Sequence, residues 1–241
     1  MENMLKKLQE IIDQSQNVVF FGGAGVNTES GIPDFRSADG LYNQKYEAPP
    51  EIILSHTFFM QHTEAFFRFY RDKMLCLQAK PNAAHKKLAE MEKAGKLLAV
   101  VTQNIDGLHQ RGGSKTVYEL HGSIYRNYCM QCKKAFGVQY ILQSEKVPKC
   151  DQCGGVIKPD VVLYEEGLDE QTVQNAVSVI ARADCLIIAG TSLTVYPAAG
   201  MVRCFGGRHL VLINRDQTAM DASADLVIHE KVGRVLGQLI L

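Results

Sequence analysis

The strongest chemical pattern in the 241-residue chain is a pair of C-x-x-C motifs. Cys129 and Cys132 form the first motif, and Cys150 and Cys153 form the second after 17 intervening residues. Each motif suits a tight turn that lets two thiolates reach one ion, and four thiolates close the tetrahedron that Zn²⁺ prefers. We therefore predict one structural zinc ion with no open position for water. Free thiols or a redox pair are the alternatives, and a nucleic-acid-binding ribbon is disfavoured by the neutral charge.

A glycine-rich segment, Gly23-Ala24-Gly25, follows an apolar strand pattern at residues 18–21. Absent side chains let backbone amides approach a pyrophosphate, as in dinucleotide sites. Thr28 stands where the third glycine of that fingerprint would be, and no G-K-[ST] follows, so a P-loop is excluded. Taken alone, the segment is equally compatible with a tight turn that binds nothing.

Polar residues also end or follow three apolar strand patterns, at 97–102, 185–189 and 209–214. They are Gln103, Asn104, Asp106, Thr191, Ser192 and Asn214. Each cluster alone could be a helix cap or an Asx turn. Ligands of open α/β sheets bind at the carboxyl ends of the strands, so three such clusters beside the glycine-rich segment favour a nucleotide site.

His121 immediately precedes the cysteine module, at a point where a domain junction and a cleft are expected. A lone histidine is more often structural. The ordinary pKa of histidine, near 6.5, nevertheless suits a general base, and His121 is the histidine whose surroundings fit that role best.

The elements that position these residues are apolar strands alternating with helical patterns, which predicts an α/β fold with a parallel sheet covered on both faces. The composition changes between residues 122 and 158, which indicates an inserted module. The chain has 26 basic and 26 acidic residues, a formal net charge of zero and 46% hydrophobic residues. We therefore expect a cytoplasmic protein of about one and a half domains, with no direct nucleic-acid binding and no membrane segment.

Together and in this order, the motifs resemble the sirtuin family of NAD-dependent protein deacylases. The resemblance rests on the two C-x-x-C pairs and on the segments at residues 23–25 with 31–36, 103–106, 121–122, 158–162, 190–199 and 213–214. It implies a Rossmann-like large part at about 1–36, 91–121 and 159–241. It also implies a small part with helices at about 37–90 and a zinc ribbon at 122–158.

The resemblance implies a reaction in which an acyl-lysine carbonyl oxygen attacks C1′ of the nicotinamide ribose of NAD and nicotinamide leaves. The resulting alkylimidate then reacts with water to give free lysine and O-acyl-ADP-ribose. His121 would be the general base, Asp106 would accept from the nicotinamide carboxamide, and Asn104 would orient the ribose or a water molecule. Phe35 would shield the ribose face from water. The implied NAD contacts are Ala24, Thr28, Phe35, Arg36, Gln103, Ile105, Asp106, His121, Thr191, Ser192, Asn214 and Val232.

The implied partner is an acyl-lysine protein or peptide, which would add as a strand between the loops at 165–168 and 194–196. Val161 would line the acyl-lysine tunnel. The implied peptide contacts are Val161, Glu166, Gly167, Leu168 and Val195.

Two positions depart from the family pattern: Asn27 replaces the usual serine, and Glu165 replaces the usual glycine. We hypothesise that the acidic pair Glu165 and Glu166 favours basic substrates. Residues 67–71 lack a Tyr-x-x-Arg pair for an acidic succinyl group, which favours acetyl and other neutral acyl groups. The alternatives are a protein ADP-ribosyltransferase that uses the same NAD site and a non-catalytic NAD-sensing zinc protein.

Overall fold

The computed structural model describes residues 1–34, 40 and 48–241 of the chain. The strands of these residues are β1 (Val18–Gly22), β2 (Leu97–Thr102), β3 (Val117–Glu119), β4 (Gly122–Cys129), β5 (Ala135–Gly137), β6 (Ile157–Val161), β7 (Cys185–Ala189), β8 (His209–Ile213) and β9 (Leu226–Ile228). Within the described ranges, β3-β2-β1-β7-β8-β9 form a parallel sheet, and β5-β4-β6 form a separate antiparallel sheet.

Helices cover the parallel sheet and build the smaller part. They are α1 (Glu2–Gln14), α2 (Pro50–Ile53), α3 (His56–Gln61), α4 (Thr63–Phe69), α5 (Ala83–Lys93), α6 (Leu108–Gly112), α7 (Val138–Gln143), α8 (Glu170–Arg182) and α9 (Val232–Leu236). None of the helices in the described ranges has the length and apolar character that crossing a bilayer requires.

Two apolar cores lie on opposite faces of the parallel sheet. Strands β1 and β7 are buried along their whole length, because helices cover both of their faces. Helices α1, α5 and α9 pack on one face, where Leu8 and Leu88 are fully buried, and α8 packs on the other, where Ile180 is fully buried. The predicted α/β fold with a parallel sheet is confirmed.

A third core joins the two segments of the smaller part. Phe66, Phe67 and Tyr70 from the helical segment pack with Ile141 and Ile157 from the cysteine module. The rings of Phe66 and Phe67 meet edge to face at 5.4 Å between centroids, a favourable aromatic geometry. The helical segment and the cysteine module therefore share one interior.

Two elements differ from the predicted part boundaries. Helix α5, whose first residues fall in the predicted helical range 37–90, buries Ala84, Leu88 and Met91 against the parallel sheet. Asn82 caps α5 through the backbone N–H of Ala84, so the chain re-enters the larger part there. At the other boundary, β6 continues to Val161 and pairs with β4, because its residues complete the small sheet.

Candidate active site

A cavity of about 410 Å³ opens at the carboxyl ends of β1, β2, β7 and β8. The predicted site residues that line it are Ala24, Thr28, Gln103, Asn104, Ile105, Asp106, His121, Val161, Glu166, Leu168, Thr191, Ser192, Val195, Asn214 and Val232. Gly167 is exposed and does not line the cavity. Phe35 and Arg36 lie outside the described residues, so their predicted contacts stay predictions.

The glycines of the first loop are explained by a close approach of two backbones. The N–H of Gly25 donates to the carbonyl of Gly190 at 2.8 Å, and a Cβ added to Gly25 would lie 2.8 Å from the Cα of Gly190. Gly190 has a φ of 58°, and a Cβ there would collide with the backbone nitrogen of Val26. Packing between loops thus accounts for Gly25 and Gly190, and it places both loops at the cavity.

Side-chain hydrogen bonds connect the polar strand ends. The Gln103 amide donates to the hydroxyl of Thr191 at 3.0 Å, and the Thr191 N–H donates to Oδ1 of Asn214 at 2.9 Å. Asn104 donates to the carbonyl of Gly23 at 3.0 Å. The buried Nδ2 of Asn214 has no partner among the described residues. Because an unpaired buried donor is costly, this atom suits a ligand hydroxyl or phosphate oxygen.

His121 is held in one tautomer at the edge of the cavity. Its Nδ1 lies 2.9 Å from the carbonyl oxygen of Gln103, which can only accept, so Nδ1 carries the hydrogen and Nε2 is the basic nitrogen. Burial lowers the pKa of His121, and the hydrogen bond to Gln103 opposes that shift in part. The imidazole is therefore neutral near pH 7, as a general base must be.

Asp106 lies in the same cavity, where hydrogen bonds hold both of its oxygens. Asn27 donates to Oδ2, and the backbone N–H of Leu108 donates to Oδ1 at 2.8 Å. Burial raises the pKa of Asp106, whereas the hydrogen bonds from Leu108 and Asn27 lower it. A carboxylate oriented in this way can accept a further hydrogen bond from an amide ligand.

The predicted peptide loop around Glu166 is anchored to the helical segment and to β6. Glu166 accepts from the N–H of Leu163 and the ammonium of Lys158, both at 2.9 Å, and lies 2.8 Å from Nδ1 of His56. Burial would raise the pKa of Glu166, but these hydrogen bonds outweigh it and lower the pKa. The carboxylate of Glu166 is thus occupied within the protein.

Glu165 occupies a backbone conformation that favours glycine. Its φ is 75°, in the left-handed region that side chains disfavour. Its carboxylate accepts from the N–H of Thr57 at 2.8 Å, near the start of α3. This hydrogen bond offsets part of the backbone cost and ties the loop to α3.

The four paired cysteines meet at one point. Their sulfur atoms all lie within 4.8 Å of one another, with 3.4 Å between Cys129 and Cys153 and 3.6 Å between Cys132 and Cys150. Zn–S bonds of about 2.3 Å require a tetrahedral edge of about 3.8 Å. The cluster therefore fits the predicted structural zinc.

His85 is not among the predicted site residues, yet the structure connects it to the site. The buried ring of His85 lies 3.1 Å from Oδ1 of Asn27, so it reaches Asp106 through one side chain. The usable signal was the position of His85 three residues after the helix cap Asn82, where the ring accepts a hydrogen bond from the Asn82 N–H.

A parallel sheet with a glycine-rich loop facing polar strand ends, together with a four-cysteine module, defines a class of Rossmann-like nucleotide-binding proteins. The family model of the Sir2 family matches residues 23–197. This chain belongs to the Sir2 family, and the predicted sirtuin resemblance is confirmed.

Relatives of the chain are matched over nearly their whole length. A protein of Clostridium acetobutylicum named NAD-dependent protein deacetylase is 61% identical over 239 residues, which is 98% of each chain. A solved structure described as Sir2 with a p53 peptide and NAD+ is 40% identical, with a TM-score of 0.86 over 96% of this chain and 95% of the other. Sir2Tm bound to a propionylated peptide is 37% identical, with a TM-score of 0.85 over the same shares.

Proposed function

We propose that this protein is an NAD-dependent protein-lysine deacetylase that converts acyl-lysine, NAD and water into free lysine, O-acyl-ADP-ribose and nicotinamide. The observation that carries the proposal is the cavity in which a neutral His121 and the oriented carboxylate of Asp106 lie beside the joined strand ends. The names of the relatives, at up to 61% identity, support the same activity.

Bound NAD would supply an electrophilic ribose carbon, C1′, from which nicotinamide departs. His121 offers the lone pair of Nε2 to a ribose hydroxyl and takes its proton, because Nδ1 is committed to Gln103. Asp106 accepts from the nicotinamide carboxamide. Asn104, whose amide N–H is bound to Gly23, keeps its oxygen to orient the ribose or a water molecule.

The opposite end of the cofactor would lie along the joined strand ends. Asn214 and Val232 would contact the adenosine half, and the orphaned amide of Asn214 would gain a partner there. Ala24, Thr28 and Ser192 would approach the phosphates and riboses. Phe35 and Arg36 keep the roles that the family resemblance implies.

The peptide would add as a strand between the loops at 165–168 and 194–196, so main-chain hydrogen bonds would supply affinity irrespective of sequence. Val161 presents an apolar wall to the acyl-lysine chain and is 8% exposed. This wall favours acetyl, propionyl and other neutral acyl groups. Of the acidic pair, Glu165 is the residue that would attract basic substrates, because the charge of Glu166 is paired with Lys158.

The zinc ion would bind all four cysteine thiolates and cross-link the segments around the small sheet, and it would have no role in the reaction. Cys129 and Cys150 are buried, whereas Cys132 and Cys153 are exposed. Zinc thiolates need reduced cysteines, which supports the proposed cytoplasmic location; cell fractionation tests that location.

The test is to incubate the protein with NAD and an acetyl-lysine peptide, following nicotinamide release together with the peptide mass. We expect the peptide to lose one acetyl group with one nicotinamide released, and we expect His121→Ala to abolish both. A peptide that gains ADP-ribose would replace the proposal with ADP-ribosyl transfer. NAD binding without any nicotinamide release would indicate the non-catalytic alternative.

The proposed preference of Glu165 for basic peptides is tested by a separate measurement. Glu165→Gln and wild-type protein are compared on acetyl peptides with lysine or aspartate flanking the acetyl-lysine, at low and high salt. We expect wild-type kcat/KM to favour the lysine-flanked peptide at low salt, and the variant to lose that preference. Equal kcat/KM values for both peptides in the wild type would contradict a role for Glu165.

A further inference from the structure

A chain of three hydrogen bonds runs from the start of α5 to the active-site carboxylate of Asp106. We propose that Asn27 and His85 are positioning residues that fix the carboxylate of Asp106 for the nicotinamide carboxamide. This inference rests on the proposed deacetylase function and adds two positioning residues to it.

The direction of every hydrogen bond in this chain is determined. The backbone N–H of Asn82 can only donate, and it lies 3.2 Å from Nδ1 of His85. Nδ1 therefore carries no hydrogen, and the neutral ring must carry its hydrogen on Nε2, which lies 3.1 Å from Oδ1 of Asn27. Because Oδ1 of Asn27 accepts from His85, Nδ2 is the atom that donates to Asp106.

The surroundings keep His85 neutral, so this direction persists at neutral pH. His85 is fully buried, and burial lowers its pKa to about 4. The ring of His109 lies 4.6 Å away between centroids, and burial lowers the pKa of His109 well below its ordinary value as well. A neutral His85 therefore donates from Nε2 to Oδ1 of Asn27.

Asp106 is consequently held from two directions. Asn27 donates to one oxygen and the N–H of Leu108 to the other, so rotation of the carboxylate would break one of the two bonds. Cys76 lines the same cavity. The negative charge of Glu119 raises the pKa of Asp106. With the acidic group Glu119 nearby, the donor on Asn27 helps to keep Asp106 ionised as well as oriented.

The amide of Asn27 is suited to this link in a way that serine is not. An amide accepts through one atom and donates through another, whereas a hydroxyl must do both from a single oxygen. His85 and Asp106 are placed at the two ends of the amide. A serine at position 27 would leave one of the two partners beyond hydrogen-bond reach unless the loop moved.

A purely structural role for the chain makes a different prediction. His85 also completes the cap of α5, so its loss could simply loosen α5. Loosening would lower thermal stability and would weaken the binding of every part of the cofactor. A positioning role instead affects the nicotinamide end and spares ADP-ribose, which has no carboxamide.

The test compares Asn27→Asp and Asn27→Ser with wild type. Asn27→Asp keeps the acceptor for His85 but places a carboxylate against Asp106. The control Asn175→Asp makes the same change at an exposed hydrogen bond on α8. For each protein we measure kcat and KM for NAD, inhibition by free nicotinamide, ADP-ribose affinity by calorimetry and the melting temperature.

We expect Asn27→Asp to weaken nicotinamide inhibition and to lower kcat by roughly tenfold or more, as the loss of one hydrogen bond to a charged group does. ADP-ribose affinity should change by less than about twofold. For Asn27→Ser, kcat and nicotinamide inhibition should fall between those of wild type and those of Asn27→Asp. Unchanged nicotinamide inhibition in Asn27→Asp would overturn the proposal, as would a parallel loss of ADP-ribose affinity. Wild-type protein that releases no nicotinamide would overturn the deacetylase function as well.

A second pair of variants tests His85 even where Asn27→Asp folds poorly. His85→Gln keeps an acceptor for the Asn82 N–H and a donor for Asn27, whereas His85→Leu removes both. We expect the glutamine variant to recover most of the nicotinamide inhibition that the leucine variant loses. Equal nicotinamide inhibition in both variants would contradict the role of His85.

Discussion

Removal of the metal from the cysteine cluster should melt the smaller part and leave the parallel sheet folded. The perturbation is Cys153→Ser or treatment with a strong chelator, and the matched control is Cys204→Ser, a change at an exposed cysteine outside the cluster. Without the metal, the turns that carry the cysteines lose their common anchor.

The expected magnitude follows from the third core. The cysteine module contributes Phe136, Ile141 and Ile157 to this core, and burying each of them is worth about 1.5–3 kcal/mol. Loss of the module would therefore remove about 5–9 kcal/mol from the smaller part. A domain has about 5–15 kcal/mol of stability in all, so the smaller part should unfold well below the sheet.

Differential scanning calorimetry in the presence and absence of chelator should show one transition split into two. Acetyl-peptide binding and turnover should be lost with the first transition, whereas ADP-ribose binding, which depends on the sheet ends, should persist until the second. Zinc addition should restore the single transition. An unchanged melting profile after verified metal removal would refute the reasoning, and so would loss of ADP-ribose binding in step with peptide binding.

Four further outcomes are expected from single groups. Because burial lowers the pKa of His121, the acid limb of kcat/KM in a pH titration should lie below pH 6.5. The folded pKa of His85, about 4, is below its unfolded value, so the unfolded state binds the proton first. Denaturant unfolding should therefore show stability falling by about 3 kcal/mol from pH 6.5 to 4, a loss that His85→Gln reduces. Gly190→Ala should cost more than the roughly 1–3 kcal/mol of left-handed backbone strain, because the added Cβ would also collide with the backbone nitrogen of Val26. It should also weaken ADP-ribose binding, measured by thermal shift and calorimetry. Glu166→Gln should raise the peptide KM more than kcat falls, because the amide weakens the ties to Lys158 and Leu163.

The sequence predicted the features that depend on local pattern. The apolar run at 97–102 became β2 with the same bounds, because a strand buried on both faces needs continuous apolar residues. The spacing of the four paired cysteines predicted that their sulfur atoms meet at one point. These predictions needed only neighbours within a few residues or a known ligand geometry.

The features that the sequence did not reveal depend on contacts between distant segments. His85 reads as an ordinary helical residue until the fold brings it against Asn27, 58 residues earlier in the chain. The acidic pair looked equivalent along the chain, yet Glu166 is paired with Lys158 while Glu165 is exposed and bound to Thr57. The predicted boundary at residue 90 divides helix α5, because periodicity shows an apolar face without showing which surface covers it.

The central position of β1 in the parallel sheet has a consequence for synthesis of the chain. One edge of β1 pairs with β2, but its other edge pairs with β7, whose residue Cys185 lies opposite Val18. About 165 residues must be translated between these partners, which takes roughly 10–30 s at ribosomal speeds. During that interval a fully apolar strand lacks one of its two neighbouring strands. Aggregation should therefore be most favourable while only the N-terminal half of the chain has been synthesised.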